Sequence, residues 1–585
     1  MTPKQKFLFA GIISLALFFR FYQITTYPGG LFPDEAANGL DINLMQQGHL
    51  QPFYERGNGR EALFFYLLWG SVELFGKGPW QHHIVSALVG VISALLCFLV
   101  TRRLFNLGLA EEDSDGKKRG INIALLAAFL MVVSTWHVVL SRTAFRAVLI
   151  PLFASLTVYL LICSYQAPTL KKRLLFSFLT GASFALGFYT YIAYRILVPI
   201  LFMILAWPLL AALKNRIFWK TIKKYFWPAI FFVTASVIFI YPIAKYFYTH
   251  PGSFVGRAGQ VSIFNPNLYT IDGVQLTSKP PLSDVVSVAV EVFKTQMLGF
   301  FTHGDLNWRQ NISGLPFLSP LVSPFFGVGL LLVLYFAVRY FFAPAKKSGW
   351  WRYFLLAGWF FGMMLPVVTT AEGIPHGLRG IGVIPAVFII SAWAMYGFSR
   401  LMVKLHNRLW SCASSPLTRG GVPNASEGQR GRTIVFVAMK ILVACFCLAL
   451  ILQTYFFYFV YAANSPENFY YFRSDLTQVS KYLVQRCQKD RTYLVLDKFS
   501  VQTTDYLTSD PHGNFSSPCN APYQQVDPED SWKLANLKFG DQIVFTQSSI
   551  FDTKKFKEYH SQAHLILEFR NKFGQAIMAV YRINN

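Results

Sequence analysis

Charge is scarce in this chain: Asp, Glu, Lys and Arg make up 14% of 585 residues, against 54% hydrophobic residues. A soluble domain carries about 25% charged residues, so a water-soluble globular protein is excluded. Acids are scarcest, 29 against 53 Lys and Arg. Of seven cysteines, Cys97, Cys163, Cys445 and Cys447 fall in apolar runs and Cys412 in a basic segment. Only Cys487 and Cys519 share the C-terminal tail, where a disulfide and two free thiols both fit the sequence. His82, His83 and His137 lack partners at ligand spacing, so no metal site is read. The C-terminal tail shows no internal repeat and no catalytic motif. The first apolar run has no small-residue cleavage site and continues into Arg20-Phe21-Tyr22-Gln23, so it is expected to stay as a helix rather than leave as a signal peptide. Period-two alternation is missing from the apolar segments, which excludes a transmembrane β-barrel.

What is there is a series of runs long enough to cross a hydrocarbon core of about 30 Å, which takes roughly 20 helical residues. They lie near 7–24, 83–101, 121–140, 147–165, 174–191, 196–212, 227–247, 319–343, 353–370, 378–398 and 433–461. The expected fold is thus an α-helical polytopic membrane protein with about eleven transmembrane helices, because backbone groups in lipid must pair within their own segment.

Lys and Arg fall on alternate ends of successive runs: Lys4 and Lys6; Arg102, Arg103, Lys117, Lys118 and Arg119; Lys171, Lys172 and Arg173; Lys214, Arg216, Lys220, Lys223 and Lys224; Lys346, Lys347 and Arg352; and the 399–432 segment. That side is expected to be cytoplasmic, with the N-terminus inside and the C-terminal domain outside. Of sixteen acids before residue 462, only Glu111, Glu112, Asp113, Asp115 and Glu427 share the basic side. Asp34, Glu35, Asp41, Glu55, Glu61 and Glu73 crowd the first outer loop. The net charge of +24 is therefore a topology signal, and nucleic acid is not a partner it requires.

The organisation expected is a membrane domain over 1–461, with long outer loops 25–82 and 248–318, and an extracytoplasmic α/β domain over 462–585. Loops of that length carry structure or function. Within the first, Glu35–Gln47 and Glu61–Phe75 suit interfacial helices. In the tail, Asp475–Cys487 has helical spacing after a Ser474 cap. Thr492–Leu496, Gln542–Gln547 and the pair 564–570 and 575–583 around Asn571-Lys572-Phe573-Gly574 suit strands. The Ser-, Gly-, Pro- and Arg-rich stretch 411–432 suits a disordered linker.

Asp34 and Glu35 follow directly on the first span, in Pro33-Asp34-Glu35, and place paired acids at a membrane face. With them go Gly59-Arg60-Glu61-Ala62, Trp136-His137-Val138-Val139-Leu140-Ser141-Arg142 followed by Arg146, Gly187-Phe188-Tyr189-Thr190-Tyr191 to Arg195, and Gly373-Ile374-Pro375-His376-Gly377-Leu378-Arg379. In their order and shared outer face these resemble the GT-C glycosyltransferases, the protein O-mannosyltransferase and ArnT-like superfamily that uses polyprenyl-phosphate sugars. The resemblance covers residues 1 to about 460. It departs at Gly59-Arg60-Glu61-Ala62, where aminoarabinose-type enzymes carry a Lys-Pro-Pro element, so their sugar does not transfer.

The resemblance implies a GT-C fold and transfer of a sugar, with inversion, from a membrane-borne polyprenyl phosphate to an acceptor hydroxyl of a protein, lipid or glycan in the cell envelope. Asp34 matches the first-loop Asp and is the expected base, the alternative being a helix cap. Glu35 either raises the Asp34 pKa or binds the acceptor. Arg142 and Arg146, four residues apart and expected on one helical face, would grip the donor phosphate. Arg195 and Arg379 are further phosphate candidates, the alternative for each being an Arg snorkelling to headgroups. Arg60 and Glu61 are expected at the sugar or acceptor; His303 and Asp305 belong to a loop that would cover the site, or to an ordinary turn. No cofactor is required, and a divalent metal on Asp34 and Glu35 stays open. The alternative function is a membrane transporter or lipid flippase, which would place ionisable groups at the bilayer midplane; Lys440, the clearest charge within a run, lies near an end.

Overall fold

The computed structural model describes residues 1–585 apart from 108–112, 215–217, 272–273, 276–278, 343–350, 371, 414–424, 487–490, 510–522 and 585. Eleven helices occupy the eleven apolar runs: α1 (Pro3–Phe21), α4 (Pro79–Phe105), α5 (Ser114–Val132), α7 (Leu149–Gln166), α8 (Leu170–Leu186), α9 (Leu197–Lys214), α10 (Phe218–Thr249), α13 (Ser323–Phe342), α14 (Trp351–Val368), α15 (Ile384–Ala413) and α16 (Ala425–Tyr455). Seven helical stretches among the described residues are long and apolar enough to cross a membrane. The chain is an integral membrane protein. Starts are set by local chemistry: Thr2 and Gln5 close a capping box ahead of Pro3 on α1, and Asp113 and Thr169 cap α5 and α8, each satisfying an orphan first-turn N–H.

Shorter elements fill the loops. The first loop holds α2 (Pro33–Gln46), the hairpin β1 (Phe53–Tyr54) and β2 (Arg60–Glu61), and α3 (Leu63–Phe75). Glu61 was expected inside the second of these helices; it lies instead in a strand, because the hairpin pairs Phe53 with Glu61 and Tyr54 with Arg60. α6 (Thr135–Leu140) caps the α5 end. α11 (Pro251–Val261), β3 (Thr270–Ile271), β4 (Val274–Gln275) and α12 (Leu282–Leu298) build the second long loop. The expected linker 411–432 is shortened, since α16 already runs from Ala425; 414–424, Cys487 and Cys519 lie outside the described residues.

The tail opens with α17 (Pro466–Tyr471), α18 (Ser474–Arg486) and α19 (Val501–Thr508). Its five-stranded sheet has the order β6-β5-β7-β9-β8, from β5 (Thr492–Val495), which precedes α19, β6 (Gln524–Val526), β7 (Gln542–Thr546), β8 (Ala563–Arg570) and β9 (Ala576–Ile583), with α20 (Thr553–Tyr559) between β7 and β8. β5 runs parallel to β6 and β7, and β9 antiparallel to β7 and β8. Successive strand residues face opposite sides: Ile543 and Phe545 meet Phe556 of α20, while Val544 meets Leu476, Val479 and Leu483 of α18. A sheet covered on both faces needs apolar residues without alternation, which is how Ile543-Val544-Phe545 reads.

Candidate functional site

The two acids that open α2 diverge. Adjacent helix residues point about 100° apart, so only one of Asp34 and Glu35 can face the interior. Glu35 does: it is fully buried, its Oε1 accepts from the Ala144 N–H at 2.6 Å, and its Oε2 accepts from the Phe32 N–H at 3.1 Å. His83 Nε2 lies 3.5 Å from the same Oε1. Burial alone would raise the Glu35 carboxyl, but His83 and the two backbone N–H groups outweigh it and hold the carboxyl below its usual value. Glu35 therefore caps α2 and ties it to the segment after α6. Asp34 takes the other direction, with 48% of its side chain exposed. No cluster of three or more metal-ligating side chains occurs among the described residues.

Guanidinium groups surround Asp34. Arg60 is buried; its Nη1 donates to the Asp34 carbonyl at 3.2 Å and to Asn38 Oδ1 at 2.9 Å, and its Nη2 lies 3.9 Å from Asp34 Oδ1. Burial, then the neighbouring charge of Arg146, pushes Arg60 down to about 10, still cationic at neutral pH. Strand pleating sends Glu61 the other way from Arg60. There its carboxylate meets Arg146 at 3.3 Å and Arg195 at 3.5 Å. Arg146 also lies over the Tyr191 ring, and Arg195 Nη1 donates to the Phe254 carbonyl at 2.5 Å. Two guanidiniums on one carboxylate leave an excess positive charge near Arg60.

Arg309 was not singled out from the sequence. Its guanidinium sits 3.4 Å over the ring centre of Phe32, two residues before Asp34, and its Nε is buried without a hydrogen-bond partner. Burial lowers the Arg309 pKa, while the charges of Asp34, Glu35 and Asp305 oppose that. Its backbone is fixed, since its N–H donates to Asn307 Oδ1 at 3.1 Å and its carbonyl accepts from Thr143 Oγ1 at 3.2 Å. A buried donor without an acceptor is costly, and an oxyanion ligand would supply the acceptor.

The expected helical pairing of Arg142 with Arg146 is not met. α6 ends at Leu140 and α7 begins at Leu149, so Arg142 lies in a connecting segment and Arg146 opens a single 3₁₀ turn. Fully buried Arg142 donates to the carbonyls of Phe19 (3.3 Å), Arg20 (2.7 Å) and Tyr27 (2.7 Å) and to Tyr458 Oη (3.1 Å). It closes the C-terminal end of α1, the usual place for a cation, with its donors turned away from Asp34. Replacing Arg142 by Met is expected to destabilise the fold by about 3 kcal/mol, because buried carbonyls lose their donors. A lowered thermal midpoint with unchanged donor affinity in the folded fraction is the outcome to check.

Arg379 is engaged within its own loop, donating to Glu372 Oε2 (2.8 Å), the Glu372 carbonyl (2.9 Å) and Thr370 Oγ1 (3.1 Å). His303 is exposed at the loop surface. Asp305 is buried behind Arg309, its Oδ2 accepting from the Gly377 N–H at 2.7 Å and its Oδ1 from the Asn307 N–H at 2.8 Å; it thus pins the covering loop to Gly377. Burial raises Asp305 to about 6 against those N–H donors. The native state therefore binds this proton more tightly than the unfolded chain, whose Asp titrates near 3.9. Stability from this group is fully present below about pH 4 and is lost as pH rises through about 6. Thermal midpoints should fall more steeply from pH 4 to pH 6.5 in the parent than in Asp305→Asn.

The tail packs on α2. Tyr506 of α19 is fully buried against Gly39, where a Cβ would stand 2.5 Å from its ring. Its Oη lies 3.0 Å from His82 Nε2. Thr503 Oγ1 donates to the Leu31 carbonyl at 3.1 Å, the Gly30 N–H donates to Ser474 Oγ at 3.0 Å, and Asn43 Nδ2 donates to Ser509 Oγ at 3.2 Å. Phe499 stacks edge-on against Phe32 at 5.7 Å between centroids. The helix that carries Asp34 is thus held between the membrane helices and the tail.

No protein-family model and no curated protein matches the sequence. Among solved structures, ArnT from Cupriavidus metallidurans bound to undecaprenyl phosphate superposes with a TM-score of 0.52 at 12% identity, over 99% of this chain and 98% of that one. ArnT from the same organism in the apo state superposes with a TM-score of 0.50 at 12% identity, over 98% and 97%. At such low identity the likeness speaks for the fold. With the helices, the two long loops and the terminal sheet domain all included in the overlap, the chain has the GT-C fold.

Proposed function

We propose that this protein is an inverting glycosyltransferase that moves a sugar from a polyprenyl-phosphate donor to an acceptor hydroxyl of a protein, lipid or glycan. The observation that carries the reading is the buried Nε of Arg309, which has no hydrogen-bond partner, near the half-exposed carboxylate of Asp34. ArnT, which shares the fold, is a structure bound to undecaprenyl phosphate, and a phosphate is the oxyanion that Arg309 lacks. Asp34 takes the proton of the acceptor hydroxyl as its oxygen attacks the anomeric carbon. The bond from that carbon to the phosphate oxygen breaks, and polyprenyl phosphate leaves with the electron pair. Charge then gathers on the leaving phosphate, where Arg309, Arg60, Arg146 and Arg195 stabilise it most. Glu35 positions α2. The Lys and Arg distribution puts the N-terminus in the cytoplasm and the site and tail outside a plasma membrane.

Undecaprenyl phosphate binding tests the phosphate subsite separately from chemistry. Arg309→Gln is expected to weaken binding by roughly 10- to 100-fold, the worth of about 1.5 to 3 kcal/mol for a charged hydrogen bond, while Asp34→Asn binds as the parent does. Equal affinity in Arg309→Gln and the parent would remove Arg309 from the reading.

A further inference from the structure

The helix α12 leads directly into the covering loop, and its side chains divide into three sectors. At about 100° per residue, Val285, Val292 and Gln296 share the face turned to the protein and are buried. Ser283, Ser287, Glu291 and Lys294 share a second face, where Glu291 and Lys294 pair at 3.7 Å with mostly exposed side chains. Between these faces lie Leu282, Val286, Val290, Phe293 and Met297, within about 80° of one another. Phe293 and Met297 are partly buried, but Leu282, Val286 and Val290 are 74%, 52% and 46% exposed. A surface helix in water needs one apolar face, the one set against its own protein. α12 carries a second, and it is exposed.

The height of α12 along the membrane spans says what covers that sector. The Phe293 ring lies 6.4 Å from the Phe361 ring of α14. Phe361 is seven residues before Val368, where α14 ends and the chain runs on towards Gly377, about 10 Å at 1.5 Å per residue. α14 has 18 residues, about 27 Å, close to the roughly 30 Å of a hydrocarbon core. The middle of α12 therefore sits about 10 Å inside the end of a membrane span, a depth at which interfacial helices bury an apolar face. Leu365, one turn on from Phe361 and on the same face of α14, is 40% exposed. The open sector of α12 thus continues the lipid-facing surface of that span. Just beyond the C-terminal end of α12, Phe301 lies 6.1 Å from Phe326, in the first turn of the span α13. α12 also fixes the loop that follows it: Gln296 Oε1 accepts from the His376 N–H at 2.7 Å, and the Gly299 carbonyl accepts from the Phe317 N–H at 2.9 Å.

We propose that α12 is seated in the lipid: Leu282, Val286, Val290 and Phe293 rest among the acyl chains of the leaflet on the Asp34 side, and this seat sets the height of the loop that carries Asp305 and Arg309. The occupant is a lipid surface, and the proposal is independent of sugar transfer. Full-length protein is placed in phosphatidylcholine nanodiscs containing a phosphatidylcholine with a diazirine in one acyl chain. After irradiation, adducts are mapped by peptide mass spectrometry. Val286, Val290 and Phe293 are expected to be labelled about as strongly as Leu331, a residue of α13 that is 69% exposed. Ser283, Ser287 and Glu291 should be labelled roughly tenfold less or lower, as befits the polar face of an interfacial helix. Labelled Leu331 with 286–293 unlabelled overturns the proposal, and in nanodiscs that hold two copies it assigns the sector to a second copy. Equal labelling of the two sectors overturns it as well. The double variant Val286→Asp, Val290→Asp should quicken amide hydrogen exchange over 299–312 by roughly tenfold or more, because carboxylates are costly at that depth. Ser287→Asp, on the polar face, should exchange as the parent does. Val290→Ser serves if the double variant does not fold, with a smaller change of the same sign. Exchange over 299–312 equal to the parent's in the folded α12 variants overturns the link between this seat and the loop.

Discussion

Replacing Asp34 by Asn is expected to lower turnover by about 10²- to 10⁴-fold, the range for loss of a general base. The donor KM should change little, because the proposed site assigns the phosphate to arginines rather than to this carboxylate. Stability should change little as well. Asp34 is half-exposed, its nearest cation is 3.9 Å away at Arg60 Nη2, and only a first-turn helix-dipole interaction of about 0.3–1 kcal/mol is forgone. Glu35→Gln should behave in the opposite sense. Its carboxylate holds the Ala144 and Phe32 N–H groups, so the amide leaves one of two donors poorly satisfied and lowers the melting point along with the rate. Turnover, KM and thermal midpoint measured on both variants separate a chemical role from an anchoring one. Asp34→Asn with parental turnover would leave Asp34 without a role in proton transfer.

Tyr506→Ala is expected to cost about 3–5 kcal/mol, as for other fully buried aromatic residues, and to release the tail from α2. The ring fills the space over Gly39, and its hydroxyl meets His82, whose sequence neighbour His83 approaches Glu35. Tyr506→Phe keeps the ring and loses about 1 kcal/mol with the hydrogen bond. Amide hydrogen exchange over residues 36–46 should quicken strongly in Tyr506→Ala and slightly in Tyr506→Phe. Turnover should follow the same order, since Asp34 sits at the start of that helix. Unchanged exchange over α2 in Tyr506→Ala would mean that the tail does not hold the helix.

Much of the fold was legible because it is local. Each apolar run carries its own backbone hydrogen bonds, so length and hydropathy suffice to place α1, α4, α7, α8 and α9 to within about five residues, while α5 and α10 begin seven and nine residues earlier than their apolar runs. The tail strands announced themselves in the same way: the pair around Asn571-Lys572-Phe573-Gly574 became β8 and β9. Asp34, Arg60, Glu61, Arg146 and Arg195 were named from the sequence and come together in the structure.

What the sequence did not disclose depends on contacts between distant segments. Helical geometry says that Asp34 and Glu35 diverge, but which of them turns inward follows from the Ala144 N–H. The four-residue spacing of Arg142 and Arg146 suggested one face; the break between α6 and α7 sends Arg142 into the α1 end. Arg309 approaches Asp34 only through the packing of the covering loop over Phe32, and a lone Arg after Trp308 carries no spacing signal for it. The docking of Tyr506 on Gly39 likewise has no local trace.

Sugar transfer by the purified protein is the most direct measurement. A panel of polyprenyl-phosphate sugars, offered in detergent with candidate acceptors, should show release and transfer from at least one donor by the parent, and a loss of about 10²-fold or more with Asp34→Asn. No turnover of any donor, or equal turnover by parent and Asp34→Asn, would contradict the assignment of this face as a glycosyl-transfer site.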